Sequence, residues 1–264
     1  MVAWHDGEGA VIRALGLDLA WSPRNPTGVA VIAGDESGGT LIYNGIRQSD
    51  AELTAFVAEY GGVGGVLVAI DAPTLVPNET GLRPGERDLN AVYRQYDAGA
   101  HPSNRQRLTS FGGGKVRGEV IVALLEQQAI RHHPYLTART AARQSFEVYP
   151  HPATVALFGL SRTLKYKAKP GRDYPSRYAA FGQLEAHLLS LAIAEPALII
   201  PVATFASDLT SLKGAKLKDY EDRLDAILCA YVAFYYWYWG PQRVTVFGDT
   251  ESGHIVVPHL SRLG

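Results

Sequence analysis

The 264-residue sequence predicts an α/β fold: a mixed five-stranded sheet flanked by helices, with a helical insertion and a C-terminal hairpin. Three observations lead there. Short β-branched runs before Ser49 alternate with turn clusters, the pattern of a strand meander. Val66 to Ile70 is a continuous apolar run of the kind buried on both faces of a parallel sheet. From Leu224 onward the chain is apolar almost all round, with no Gly or Pro before Gly240, which describes a long helix buried against a sheet.

Taken in order, Arg13 to Ala20, Thr27 to Ile32 and Thr40 to Ile46 predict three strands, separated by turn residues at 22–26 and 34–39. Ser49 or Asp50 caps a helix whose apolar face is Leu53, Phe56 and Val57. Val66 to Ile70 is the fourth strand, parallel to the first by the crossover rule and stopped by Pro73. Residues 77–143 read as a mainly helical insertion, with helices at Glu86 to Tyr96 and Val116 to His132. Between them lie the loop His101 to Arg105 and the turn Gly112-Gly113-Gly114-Lys115, which lacks Walker A spacing and suits a hinge or cap. Ser145 to Pro150 is a fifth strand, followed by a helix with Pro152 at its first position. Tyr174 to Ile193 is an amphipathic helix, Lys216 to Trp239 the long one, and Val244 to Phe247 with His254 to Pro258 a closing hairpin. One domain over 11–264 is expected, with Met1 to Ala10 as a loose tail.

No run of eighteen apolar residues is present, so no membrane span is expected. The N-terminus lacks the apolar stretch of a signal peptide, and the single Cys229 sits in the apolar helix, where it packs as a small hydrophobe; the expected compartment is cytoplasmic. A net charge of −1 does not announce a nucleic-acid binder, so any basic surface must be local. Two segments supply one. Between Arg83 and Arg117 seven bases outnumber three acids, which makes either a solvated charged face or a polyanion-facing one. The loop Arg162 to Arg172 suits phosphate contacts or plain surface charge.

The acids are placed less ordinarily. Asp18 and Asp71 each end a predicted central strand, where ligands of open α/β sheets bind. If those strands are neighbours, the carboxylates repel, and a metal resolves the repulsion. Asp222 and Asp225 project from one helix face, a turn apart. Burying two uncompensated carboxylates costs several kcal/mol, so they need a partner, a divalent cation being the strongest. The plainer alternative makes Asp219 an N-cap and Asp222 its third helical residue, which leaves Asp225 unexplained.

The order strand, strand, strand, helix, strand, with Asp18, Asp71 and a late helical Asp222-x-x-Asp225, resembles the ribonuclease H-like superfamily. In that fold the first strand, the fourth strand and the last helix bring carboxylates to one point. The helical pair is most similar to the Holliday-junction resolvase branch. Gly16-Leu17-Asp18-Leu19-Ala20, Ala69-Ile70-Asp71-Ala72-Pro73, Glu147-Val148-Tyr149-Pro150, Lys165-Tyr166-Lys167 with Gly171-Arg172, and Glu221-Asp222-Arg223-Leu224-Asp225-Ala226 look like the predicted ribonuclease H-like nucleases called domain of unknown function 429. The likeness runs from Leu15 to about Pro258.

The resemblance implies a nuclease hydrolysing phosphodiester bonds in DNA or RNA, with Asp18, Asp71, Glu147, Asp222 and Asp225 as catalytic residues. Oxygen ligands without His or Cys suit Mg²⁺ or Mn²⁺, and two such ions about 4 Å apart would drive an in-line displacement. Asp18 is then the bridging ligand, Asp71 and Asp225 are outer ligands, and Asp222 is a further ligand or a support for one. Glu147 is either a ligand or the partner of a base. Arg105, Lys165, Lys167 and Arg172 are the expected substrate contacts. Two rivals stand beside this reading. An actin- or sugar-kinase-like phosphotransferase needs a glycine-rich phosphate turn after the first strand, where this chain has Leu19-Ala20-Trp21-Ser22-Pro23. A non-catalytic module binding nucleic acid or protein could keep the same fold.

Overall fold

A computed structural model describes residues 11–260; the tail expected at Met1 to Ala10 lies outside the described residues. The chain opens with β1 (Ile12–Asp18), β2 (Thr27–Asp35) and β3 (Gly38–Arg47), an antiparallel meander. Helix α1 (Asp50–Gly61) starts where the Ser49 hydroxyl accepts the Glu52 N–H, at 3.2 Å. Strand β4 (Gly65–Ile70) then runs parallel to β1, as the apolar run predicts. Helices α2 (Pro84–Tyr93), α3 (Arg105–Phe111) and α4 (Arg117–Glu126) lead to β5 (Arg131–His132) and β6 (Arg143–Glu147). After them come α5 (Pro150–Phe158), α6 (Tyr174–Ser190), β7 (Leu198–Ile199), α7 (Gly214–Trp239) and the hairpin β8 (Val244–Asp249) and β9 (Gly253–Pro258).

The central sheet is mixed and has seven strands, in the order β5-β6-β4-β1-β2-β3-β7, where five were expected. The two additional strands are the edges, each two residues long, too short to carry any periodicity. Helix α3 was also not foreseen, although Asn104 caps it by accepting the Arg107 N–H at 3.0 Å. Helix α5 begins at Pro150, so Pro152 sits one half-turn inside instead of at the first position. Among the described residues no helix is long and apolar enough to cross a membrane.

Side-chain alternation sorts the strands onto two cores. Ala14, Ala30, Ile32, Leu67, Ala69, Phe146 and Val148 face α5, α6 and α7. Leu15, Leu17, Val29, Val31, Val66, Val68 and Ile70 face α1 and α4. Helix α2 packs instead on the terminal hairpin, through Leu89, Tyr93, Ile255 and Val257. The result is helices on both faces of the sheet, with the carboxyl ends of β1, β4 and β6 left open to other chemistry.

Two glycines set how α7 lies on the sheet. A Cβ on Gly16 of β1 would run into the Ala226 carbonyl and the Ala230 amide, and one on Gly28 of β2 into the Asp222 carbonyl. The helix backbone thus rests directly on the sheet, which brings Asp222 and Asp225 over the end of β1. The helix begins at Gly214, so Asp219 is not its cap and Asp222 lies roughly two turns inside. Capping therefore does not account for Asp222. Because backbone cannot swing aside as a side-chain tip can, Gly16→Ala should cost about 1–3 kcal/mol. Urea unfolding checks this; an unchanged midpoint would contradict the close approach.

Candidate functional site

Strands β1 and β4 are hydrogen-bonded neighbours, and pairing continues one step past the strands, with the Asp71 N–H donating to the Leu17 carbonyl at 2.8 Å. Asp18 and Asp71 therefore stand side by side. By alternation both leave the sheet on the α7 side, one residue beyond Leu17 and Ile70, which face the other core. Each is half-buried and lines a cleft of about 420 Å³. Lys165, Lys167, Lys169 and Arg172 line the same cleft, as does Asp97, so acids and bases share its wall.

Asp225 lies beneath, fully buried. The Tyr166 hydroxyl donates to its Oδ1 at 2.6 Å, and the Lys167 ammonium lies 2.6 Å from Oδ2. Burial pushes this carboxyl up, but Lys167 and the Tyr166 hydrogen bond outweigh it and hold Asp225 below the ordinary carboxylate range. Asp222 is held by Lys218, one turn earlier on α7, whose ammonium also lies 2.9 Å from Glu221. Lys218 is itself driven up; burial opposes this, and Asp18, Glu221 and Asp222 overcome it. Asp18 and Asp222 share a second cleft of about 280 Å³ with Asn25 and Ala215.

Asp18 and Asp71 behave oppositely to Asp225. Burial pushes the Asp18 carboxyl well above its usual range; Lys167 opposes the shift, and the charges of Asp225, Asp222 and Asp71 add to it. Asp71 is pushed up to about 7, again chiefly by burial, with Lys167 opposing and Asp225 and Glu147 adding. Both carboxyls would gain from an added cation.

Glu147 takes the role of partner to a base. Its pairing with Ile70 puts it on the opposite face from Asp18 and Asp71. There the Arg83 guanidinium grips both oxygens, at 2.6 and 2.8 Å, and the Thr74 N–H donates at 3.0 Å. Arg83 is buried and also bonded to Glu86, so it faces no polyanion. Neither does Arg117, buried against Asp50. Arg105, expected to contact substrate, instead pairs with Glu119 at 3.0 Å and does not line the cleft. Lys165 lines it while paired to Asp97 at 3.0 Å, and Arg172 lines it while bonded to the Lys167 carbonyl at 2.8 Å.

The donor set fits a hard cation only in part. Asp18 and Asp71 supply adjacent oxygens, which suits Mg²⁺ or Mn²⁺. Among the described residues, however, no three His, Cys, Asp or Glu side chains come together as a ligand set. Asp225 is near enough for its charge to act on both Asp18 and Asp71, while its own oxygens face the Tyr166 hydroxyl and the Lys167 ammonium.

Sequence reasoning passed over Lys218, Tyr149 and His151. Lys218 was legible as the i, i+4 partner of Asp222. Tyr149 and His151, which line the cleft, carried no such signal. Burial first, then Lys167, lowers His151 to about 3, so it is a neutral imidazole at neutral pH, with Nδ1 3.1 Å from the Thr163 hydroxyl.

Comparison with curated proteins finds no match. Comparison with protein families matches residues 16–251, a span that holds Asp18, Asp71, Glu147, Lys167, Asp222 and Asp225 alike, and on that match the chain belongs to the family described as protein of unknown function (DUF429).

Proposed function

We propose that the chain is a ribonuclease H-like nuclease that hydrolyses phosphodiester bonds in nucleic acid with a divalent cation at Asp18 and Asp71. The observation carrying this reading is that two adjacent carboxylates, both pushed toward protonation, share one cleft with Lys165, Lys167, Lys169 and Arg172. A site built only to bind a polyanion gains nothing from acids at its centre. A nuclease does, because the acids attract a cation and the bases the phosphate.

Mg²⁺ commonly binds through one or two carboxylates, completing its shell with water and substrate phosphate. Asp18 and Asp71 meet that requirement. Bound there, Mg²⁺ or Mn²⁺ would supply Lewis acidity toward the phosphate and a more acidic water. Lys167 and Lys218 bring fixed positive charge near Asp18, where a second ion would otherwise be needed. Tyr166 and Lys167 keep Asp225 ionised beneath the centre. His151, neutral, stands in the cleft wall without adding charge.

The test is cleavage of labelled DNA and RNA with and without Mg²⁺ or Mn²⁺, by the wild type and Asp71→Asn. Cation-dependent cleavage that Asp71→Asn abolishes supports the reading; binding without cleavage under every condition would favour a non-catalytic module. The rim makes a separate prediction. Lys165→Ala with Arg172→Ala should weaken binding and reduce the slope of log affinity against log salt by about 1.4, two phosphate contacts on a single strand. An unchanged slope would return both residues to ordinary surface.

A further inference from the structure

The cleft contains a feature that cation chemistry and phosphate charge leave unused. Trp21, three residues after Asp18, is half-buried and lines both the 420 Å³ cleft and a smaller pocket of about 80 Å³. Asp71, His101 and Tyr149 line both as well, so the two spaces meet around Asp71. Two neighbours hold the indole in place: Phe111 lies 5.8 Å away between ring centroids, tilted by 56°, and the Arg107 guanidinium lies over the ring, 5.1 Å from its centre. It also packs beside Val76, Leu108 and Val116.

We propose that this cleft takes a single strand of nucleic acid, with a nucleobase stacked on Trp21 and the backbone phosphates on the lysine and arginine side chains that line the same cleft. The inference rests on the nuclease reading and narrows its substrate. Bases on the rim track the backbone charge, and an aromatic ring next to them offers the one surface every nucleobase can use, its π face. A chain of net charge −1 has no general attraction for polyanions, so this local pairing of cations with an aromatic ring is what selects the ligand. A cleft of this volume is the size of a small-ligand pocket and admits one strand. Within a duplex the base faces are already stacked, and a base reaches Trp21 only after leaving its helix.

Binding in chelator, read by anisotropy of end-labelled oligonucleotides, separates stacking from cleavage. The probes are oligothymidylate, oligouridylate, a mixed-sequence duplex and a single strand with abasic sites. The single strands should bind at least about tenfold tighter than the duplex, and Trp21→Ala should remove roughly tenfold of that affinity while Trp21→Phe removes less. The abasic strand should bind wild type and Trp21→Ala alike, because it has no base to lose. That contrast stays readable even if the alanine variant is less stable, since the wild type alone should already discriminate against the abasic strand. This pattern on either sugar supports the proposal, and the tighter arm names DNA or RNA as the substrate. Equal affinity for duplex and single strand, or equal loss on normal and abasic strands, overturns it. Cleavage that depends on Asp71 but ignores Trp21 would sink the stacking inference and leave the nuclease standing. Absence of all binding and cleavage would sink both.

Discussion

Asp18→Asn should abolish divalent-cation-dependent cleavage, while the metal-free protein melts at the same temperature as the wild type or higher. Burial raises the Asp18 carboxyl against the pull of Lys167, and the neighbouring acids raise it further. An acid raised in the folded state binds its proton more tightly there than in the unfolded chain. Its stability contribution is complete below the unfolded value near 4 and is lost as pH rises through the folded one. For Asp71, pushed up to about 7, that loss falls between about pH 4 and pH 7. A carboxamide cannot ionise. In chelator at pH 8, Asp71→Asn should therefore gain about 1–3 kcal/mol, the shift discounted for the carboxylate's contact with solvent. The fall in wild-type stability across that window should flatten in the variant. Added Mg²⁺ should raise the wild-type melting temperature by linkage and leave Asp18→Asn where it was. An aspartate held by structural donors behaves the other way, since removing its charge strands those donors. Melting of Asp18→Asn well below the wild type, with no shift of the wild type by metal, would make the cluster structural.

The placement of Asp18 beside Asp71 was legible because it follows from local patterns. A β-branched meander and an uninterrupted apolar strand fix which strands are central, and each ends on its acid. The parity of Glu147 was not legible. Register pairs it with Ile70 and puts Val148 beside Asp71, and a shift of one residue would have reversed the faces. Asp225 illustrates a second limit. Its partners Tyr166 and Lys167 come from a loop 59 and 58 residues earlier, a pairing that no spacing rule can find. The early start of α7 was hidden for the opposite reason: no side chain caps it, while Asp219, a residue type suited to capping, lies inside the helix. The basic residues of 83–117 misled by composition, which counts charges and cannot see that Arg83, Arg105 and Arg117 are already paired.

Lys167→Met should destabilise the protein by about 3–5 kcal/mol, because it removes the cation from a carboxylate with no access to water. For a chain of this size that is a fall of roughly 10 °C in melting temperature. The pH dependence identifies the cause. In the wild type Asp225 is held below its usual range, so its contribution is present above the unfolded value near 4 and is lost as pH falls through the folded one. Without Lys167 the Tyr166 hydrogen bond and His151 alone oppose burial, so the carboxyl rises and the loss of stability on acidification through Asp225 shrinks. Urea unfolding at pH 3, pH 5 and pH 8 compares the wild type and the variant on both sides of pH 4. Asp225→Asn placed in the Lys167→Met background should recover most of the loss, since neither charge is then buried alone, and the double-mutant cycle should show strong coupling. A lysine that merely tracks substrate phosphate predicts something else: weaker nucleic-acid binding, unchanged stability and no coupling to Asp225. Lys165→Ala with Arg172→Ala is the reference for that behaviour, because neither of those residues pairs with a buried acid of the centre. Lys167 is expected to shift stability and pH dependence together, chiefly through Asp225, with Asp18 and Asp71 rising further as well.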